Sequence, residues 1–408
     1  MTLRTGPSAV QPSFTPPAET VTGAGNVVVA GPLDGRPIGR SLIPARAYTG
    51  QAEFDHEQRA VFASGWVWAG YAHWVAQPGD VRPLTVGGSP LLLVRGDDHV
   101  LRVFHNACRH RGMALTEEPI QVTQRIQCAY HCWSYHLDGS LAVAPYFKRE
   151  RRTHPDQDVR DQLGLLPVAS AVWAGMVFVN LAADPADGDP ESGLRELLAP
   201  LQQRWGHIDF ERLHLAQERD FDIDANWKLV VENFLDFYHL PFIHPQVGSV
   251  AASLDVDDVI VERDIVGGCY PRGAAGKAAK TEQQLPWLGD VPAAKLESQD
   301  IFCVFPNALL FLEADWFQVI GFDPIAPDRT VEHMAVFVDR AAAGEDYGPA
   351  RKRLCEVLYE VNEQDLPILH KLQTGRRSPA ADRTYLVPQW DQVTAYFQER
   401  VADKAGYR

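Results

Sequence analysis

Hydrophobic residues first recur at helical spacing over residues 48–64 (YTGQAEFDHEQRAVFAS), where Phe54, Val61 and Phe62 share a face with Gln58. The period then shortens. Trp66–Val75, Val81–Val86, Pro90–Arg95 and His99–Phe104 are short runs separated by Pro-Gly-Asp, Gly-Gly and Gly-Asp-Asp. That is the strand-and-turn pattern of a small antiparallel β domain. Further strands are expected at Ile126–Tyr130, Trp133–Leu137 and Val172–Leu181. The stretch Asp184–Ser192 (DPADGDPES) reads as a boundary. Beyond it the spacing predicts helices over Leu194–Trp205, Ala225–Leu240 (stopped by Pro241) and Pro349–Leu372. Strands are expected within Phe302–Asp323 and over Val331–Asp339, and a loop over the Gly-, Ala- and Lys-rich residues 267–286. The expected organisation is a flexible arm (1–45), a β domain with a helical lead-in (46–184) and a mixed domain (185–408). The arm is rich in Pro, Gly, Ala, Thr and Ser and has little to bury.

Composition narrows the function classes. Lys and Arg number 38 against 53 Asp and Glu, a net charge of −15. An acidic surface of that size argues against nucleic acid and against anionic lipid as partners. No apolar run reaches about 18 residues, so no membrane helix is expected. The N-terminus (MTLRTGPSAVQPSFTPPAET) lacks the apolar core of a secretory signal, which makes the cytoplasm the expected compartment. Six cysteines are too few for a disulfide scaffold, yet Cys108, Cys128 and Cys132 fall close together. Such a cluster points to metal.

Cys108-Arg109-His110 and Cys128-Ala129-Tyr130-His131 form the pattern C-x-H…C-x2-H. Two thiolates and two imidazoles can hold a tetrahedral zinc. They can also hold a [2Fe–2S] cluster with two His on one iron, the Rieske arrangement. Zinc fingers pair Cys with Cys and His with His. Here each short loop carries one of each, which suits two opposed loops gripping a two-iron rhomb. The β context and the flanking Arg111-Gly112 and Trp133…Gly139 favour the Rieske reading. Cys132 has no Cys between residues 109 and 127 to pair with and reads as a small residue beside the cluster.

A second group follows Asn226-Trp227-Lys228: Glu232, Asn233, Asp236, Tyr238, His239 and, past Pro241, His244. Asp236 and His239 are i, i+3 on the expected helix. Two His on either side of a helix break can converge on one ion, and a carboxylate would complete a 2-His-1-carboxylate site for non-haem iron(II). Periodicity leaves that carboxylate open among Glu356, Glu360, Glu363 and Asp365.

With these motifs in one chain, residues 46–375 resemble the Rieske non-haem iron oxygenases, specifically their α (terminal oxygenase) subunit. The resemblance rests on Cys108-x-His110-Arg111-Gly112, Cys128-x-Tyr130-His131-x-Trp133, Asn226-Trp227-Lys228, Glu232-Asn233-x-x-Asp236-x-Tyr238-His239-x4-His244 and Glu363-Gln364-Asp365. It implies an α+β chain: an N-terminal antiparallel β Rieske [2Fe–2S] domain and a C-terminal helix-grip-like catalytic domain with an antiparallel sheet. It implies His239, His244 and Asp365 as ligands of a mononuclear Fe(II). Asp236 matches the residue that joins an iron histidine to a cluster histidine of the neighbouring subunit, which implies a homotrimer.

The family's chemistry implies O2 as co-substrate and electrons from NAD(P)H through a reductase, with or without a ferredoxin; a β subunit is compatible. Cys132 stands where the family commonly has Gly. Two residues separate Asn233 from Asp236, where many ring dioxygenases have three. The shorter spacing is similar to that of monooxygenases and demethylases, including those acting on quaternary ammonium compounds, although these often carry Glu at the Asp236 position. The resemblance thus favours hydroxylation or oxidative demethylation of a small organic substrate. The alternatives are a ring cis-dihydroxylating dioxygenase α subunit and a Rieske electron-transfer protein. The substrate pocket is expected from Leu229–Ile243, the loop 248–290 and the strands near Phe302–Asp323.

Overall fold

The computed structural model describes residues 39–148, 155–186, 189, 191–244, 258–262, 264–271, 284–387 and 390–407. The expected arm lies outside them up to residue 38. Residues 39–45 are packed: Arg40 bridges to Tyr385, Leu42 N–H donates to Gln398 Oε1 at 3.0 Å, and Ile43 is buried. The lead-in is shorter than its pattern. An α-helix covers Gln51–Glu57 (α1) and continues as a π-helical turn over Gln58–Phe62. This segment lies on the C-terminal half of the chain. His56 Nε2 donates to Ala405 O at 2.9 Å, and Tyr407 OH donates to Glu57 at 2.6 Å.

The β domain follows with strands Trp66–Tyr71 (β1), Asp80–Val86 (β2), Ser89–Arg95 (β3), Leu101–His105 (β4), Ile120–Gln121 (β5), Ile126–Gln127 (β6), Ser134–Tyr135 (β7), Leu141–Val143 (β8), Ala169–Trp173 (β9) and Met176–Asn180 (β10). They form three small antiparallel sheets in the orders β4-β3-β2-β5, β6-β7-β8 and β1-β10-β9. The run Val172–Leu181, expected as one strand, is the hairpin β9–β10. It turns at Ala174-Gly175, both with positive φ. Gly supplies this geometry at little cost, and Ala174 hides it from a sequence reading.

A short helix (Gln157–Asp161, α2) and a longer one (Ser192–Arg204, α3) lead into the second half. Its frame is an antiparallel sheet of Leu213–Ile223 (β11), Asp258–Glu262 (β12), Ile265–Pro271 (β13), Ser298–Val304 (β14), Ala308–Leu312 (β15), Phe317–Ala326 (β16) and Arg329–Asp339 (β17). Their order is β11-β17-β16-β15-β14-β13-β12. The start of the expected loop 267–286 is therefore strand β13; residues 272–283 lie outside the described residues.

Each face of this sheet buries one row of alternating side chains. Ala335 and Phe337 face β1, β10 and α3, whereas Met334, Val336 and Val338 face the helices Trp227–Leu235 (α4), Gly348–Gly375 (α6) and Gln392–Ala405 (α7). A one-turn helix, Leu240–Ile243 (α5), lies between α4 and β12. The two halves are clamped at β1. Asn307 Oδ1 accepts from Trp68 N–H at 3.0 Å, and its Nδ2 donates to Trp68 O at 2.9 Å. Trp68 lies so close to Gly321 that a Cβ there would come within 2.1 Å of the indole.

Candidate metal centres

The two Cys-His loops are built alike. In the first, Cys108 N–H donates to Met113 O and Gly112 N–H returns to Cys108 O, both at 2.8 Å. In the second, Cys128 N–H donates to Trp133 O at 2.8 Å and Cys132 N–H to Cys128 O at 3.1 Å. The fourth residue after each Cys is left-handed: Gly112 at φ 73° and Cys132 at φ 58°. Gly is the unstrained occupant of that conformation, so Cys132 carries a conformational cost.

Cys108 and Cys128 are buried in one apolar core with Trp133 and Tyr135, while His110 and His131 are exposed. The two imidazoles lie 4.7 Å apart, and His110 stacks on Trp133 at 5.0 Å. Thiolates inside and imidazoles outside fit a two-iron cluster with unlike ligands on its two irons. Tyr135, which the sequence reading did not single out, accepts from Arg109 N–H at 2.9 Å and donates to Cys108 Sγ at 3.2 Å.

In the second centre the expected helix over Ala225–Leu240 ends at Leu235. Asp236 is extended (φ −89°, ψ 116°), and its Oδ1 accepts from Tyr238 N–H at 2.6 Å. This aspartate turn, rather than Pro241, stops the helix. Pro241 instead opens the next helical turn, where a missing N–H costs nothing. Asp236 and His239 therefore share no helix face. The turn still brings Asp236 Oδ2 within 3.2 Å of His239 Nδ1.

His239 and His244 flank α5, and their Nε2 atoms meet at 3.2 Å. Asp365 Oδ1, from α6, lies 3.2 Å from His244 Nε2 and 3.6 Å from His239 Nε2. Glu356, Glu360 and Glu363 do not join this group; Glu363 pairs with Arg219 at 2.6 Å. Gln364 Oε1 accepts from His244 Nδ1 at 2.7 Å, so the proton sits on Nδ1 and Nε2 offers its lone pair. Asp365 Oδ1 is buried without a hydrogen bond. Three facing acceptors repel one another unless a cation sits between them. Donor atoms about 2.1 Å from a shared ion and at right angles lie about 3.0 Å apart, close to these spacings. The set therefore fits a facial 2-His-1-carboxylate iron site.

Asp365 and both His border a cavity of about 130 Å³ enclosed by α4, α6 and the sheet. Its walls are mainly apolar: Phe234, Phe237, Phe311, Ile320 and Met334 are among them. Polar groups enter from Gln299, Gln318, Glu332 and Asn362. The expected contributions from Leu229–Ile243 and from strands near Phe302–Asp323 are present. The loop 248–290 lies largely outside the described residues, and none of its described residues lines the cavity. β17 and α6, which contribute Glu332, Met334, Leu358, Val361 and Asn362, were missed.

Two family models match the chain in this order: a Rieske [2Fe-2S] domain over residues 65–162 and the ring hydroxylating alpha subunit (catalytic domain) over residues 210–406. The chain belongs to the Rieske oxygenase α subunits. As in that family, a cluster-binding β domain precedes a mononuclear-iron catalytic domain. The carnitine monooxygenase oxygenase subunit of Acinetobacter pittii is 34% identical over 52% of this chain and 54% of its own length. The match thus spans about half of that relative. The glycine betaine monooxygenase oxygenase subunit of Chromohalobacter salexigens is 28% identical over 84% of this chain and 81% of its own. The crystal structure of the quaternary ammonium Rieske monooxygenase CntA with L-carnitine superposes with a TM-score of 0.67 at 25% identity. It covers 90% of this Rieske oxygenase chain and 96% of the CntA chain. Among the described residues no helix is long and apolar enough to cross a membrane.

Proposed function

We propose that this chain is the terminal oxygenase component of a Rieske system that oxidises a quaternary ammonium compound, as a monooxygenase or demethylase. Cys108 and Cys128 hold one iron of the cluster and His110 and His131 the other; His239, His244 and Asp365 hold the mononuclear Fe(II). The reading divides the chain near residues 184–191 into a cluster domain and a catalytic domain. It includes a reductase drawing on NAD(P)H, a homotrimer and a cytoplasmic location. The observation that carries it is the convergence of His239, His244 and Asp365 at 3.2–3.6 Å on the wall of an apolar cavity.

When bound, the cluster supplies single electrons and the ferrous ion supplies dioxygen activation. The chain's own groups supply geometry. Asp236 holds His239 Nδ1, and Gln364 holds His244 Nδ1, so both Nε2 atoms face Asp365. In a homotrimer Asp236 would also link His239 to the neighbouring subunit's cluster. Phe234, Phe237 and Phe311 keep the cavity dry and offer ring faces to a methylammonium group. A cavity of about 150 Å³ holds a benzene-sized ligand. The similar space here suits a compact head group.

Iron analysis and turnover test the reading together. The loaded chain should hold three irons. His239→Ala should keep two, with an unchanged visible cluster spectrum, and lose O2- and NAD(P)H-dependent oxidation of carnitine, glycine betaine or choline. Retained turnover in that variant refutes the assigned iron site. Two irons in the wild-type chain refute the oxygenase and leave an electron carrier.

A further inference from the structure

Among the described residues that line the cavity, one carboxyl group outside the metal site faces no Lys or Arg. Glu332 lies on β17 in the row Thr330, Glu332, Met334, Val336, Val338, which faces α4 and α6. It is 3% exposed and borders the cavity beside Ile320 and Met334. Four other buried acids, Glu57, Glu232, Asp300 and Asp339, each face a Lys or an Arg: Lys228, Arg376, Arg204 and Arg212. Glu332 has no such partner among the described residues. Its hydrogen-bond partner is an amide, Asn362 Nδ2, at 2.9 Å. His333 projects to the opposite face of the strand, where Asp220 and Asp323 take its nitrogens.

A buried carboxylate without a cation is expensive. Here the open side of the carboxylate is a ligand cavity. We infer that Glu332 is the counter-ion of the substrate's ammonium group and makes the cavity select a cationic head over a neutral one of the same shape. This rests on the reading of the cavity as the substrate site. Asn362 precedes Asp365 by three residues on α6, a rise of about 4.5 Å along the helix. A positive nitrogen held against Glu332 therefore lies about one helical turn from the iron ligands, with an N-methyl group reaching toward them. Glu332 is thus a specificity residue, separate from the groups that bind iron.

The experiment uses the full chain loaded with cluster and iron. Binding of choline, glycine betaine and carnitine is measured by calorimetry, and the tightest is compared with its neutral isostere, in which a tert-butyl group replaces trimethylammonium. Wild type should prefer the cation at least about tenfold; no preference overturns the inference. Glu332→Gln should weaken the cation at least about 30-fold, as loss of a buried charge partner does. It should leave the isostere's affinity, the iron content and the cluster spectrum unchanged, and Glu332→Asp should restore part of the loss. Equal weakening of cation and isostere, or no weakening, in an iron-replete Glu332→Gln overturns the inference while leaving the oxygenase reading intact. Failure of the wild-type chain to bind any of the three cations removes the substrate class itself, before any variant is made.

Discussion

Glu57→Gln is expected to be among the most damaging single changes, although it lies outside both metal centres. Glu57 and Lys228 are both fully shielded from solvent. Lys228 Nζ donates to both carboxylate oxygens, at 2.8 and 2.6 Å. Trp227 Nε1 and Tyr407 OH donate to the same carboxylate at 2.8 and 2.6 Å. Burial depresses the Lys228 ammonium below its usual range, and Glu57 acts against that. Glutamine preserves the shape but strands the ammonium. Breaking one side of a buried pair costs about 3–5 kcal/mol, whereas removing both charges is close to neutral. Against a total stability of about 5–15 kcal/mol, the single change takes about a fifth or more. The double variant Glu57→Gln/Lys228→Met should recover most of the loss. Urea unfolding is followed by tryptophan emission from both halves and by cluster absorbance from the β domain. A single variant within about 1 kcal/mol of wild type, or a double variant no better than the single, refutes the reasoning.

Three further outcomes are expected. Burial works against a charged His333, yet the hydrogen bonds to Asp220 and Asp323 outweigh it and raise it to about 9. A rise from about 6.5 to about 9 is worth roughly 3 kcal/mol, fully present below pH 6.5 and lost as pH climbs through about 9. Unfolding midpoints measured from pH 6 to 10 should show that loss in wild type and not in His333→Gln. Relief of the left-handed strain at Cys132 should make Cys132→Gly more stable by up to about 1 kcal/mol, while Gly112→Ala loses about as much; cluster bleaching under heat reads both. Gln364→Leu frees the His244 ring and should weaken iron binding about 10- to 100-fold, as loss of a ligand's supporting hydrogen bond does. Chelator competition measures that change.

What could be read from the chain alone was whatever is local. The four Cys and His of the loops, the His239/His244 pair and the span of α6 are carried by short spacings, and α6 extends only a few residues beyond its expected ends. Long-range features were not legible. β11 (LHLAQERDFDI) is an edge strand with charged residues facing outward, and its partner β17 lies more than a hundred residues away. β13 passes through Gly267-Gly268, which reads as a loop, yet a side chain at Gly267 would collide with the Ile301 carbonyl. Glu332 escaped for a related reason. Burial on both faces of the sheet erases alternation, so an acid on β17 resembles any solvent-facing one until the cavity is seen.

The docking of residues 39–62 onto α7 bears on how such enzymes can be recombined. A chimaera that exchanges the electron-carrying unit at a boundary near residue 184 would import a foreign leading segment. The resident α7 would then face strangers where Arg40, Leu42, His56 and Glu57 now meet it and the residues around it. The transplantable unit is discontinuous: it begins after Phe62, and whoever grafts it must leave both ends of the polypeptide with their native host.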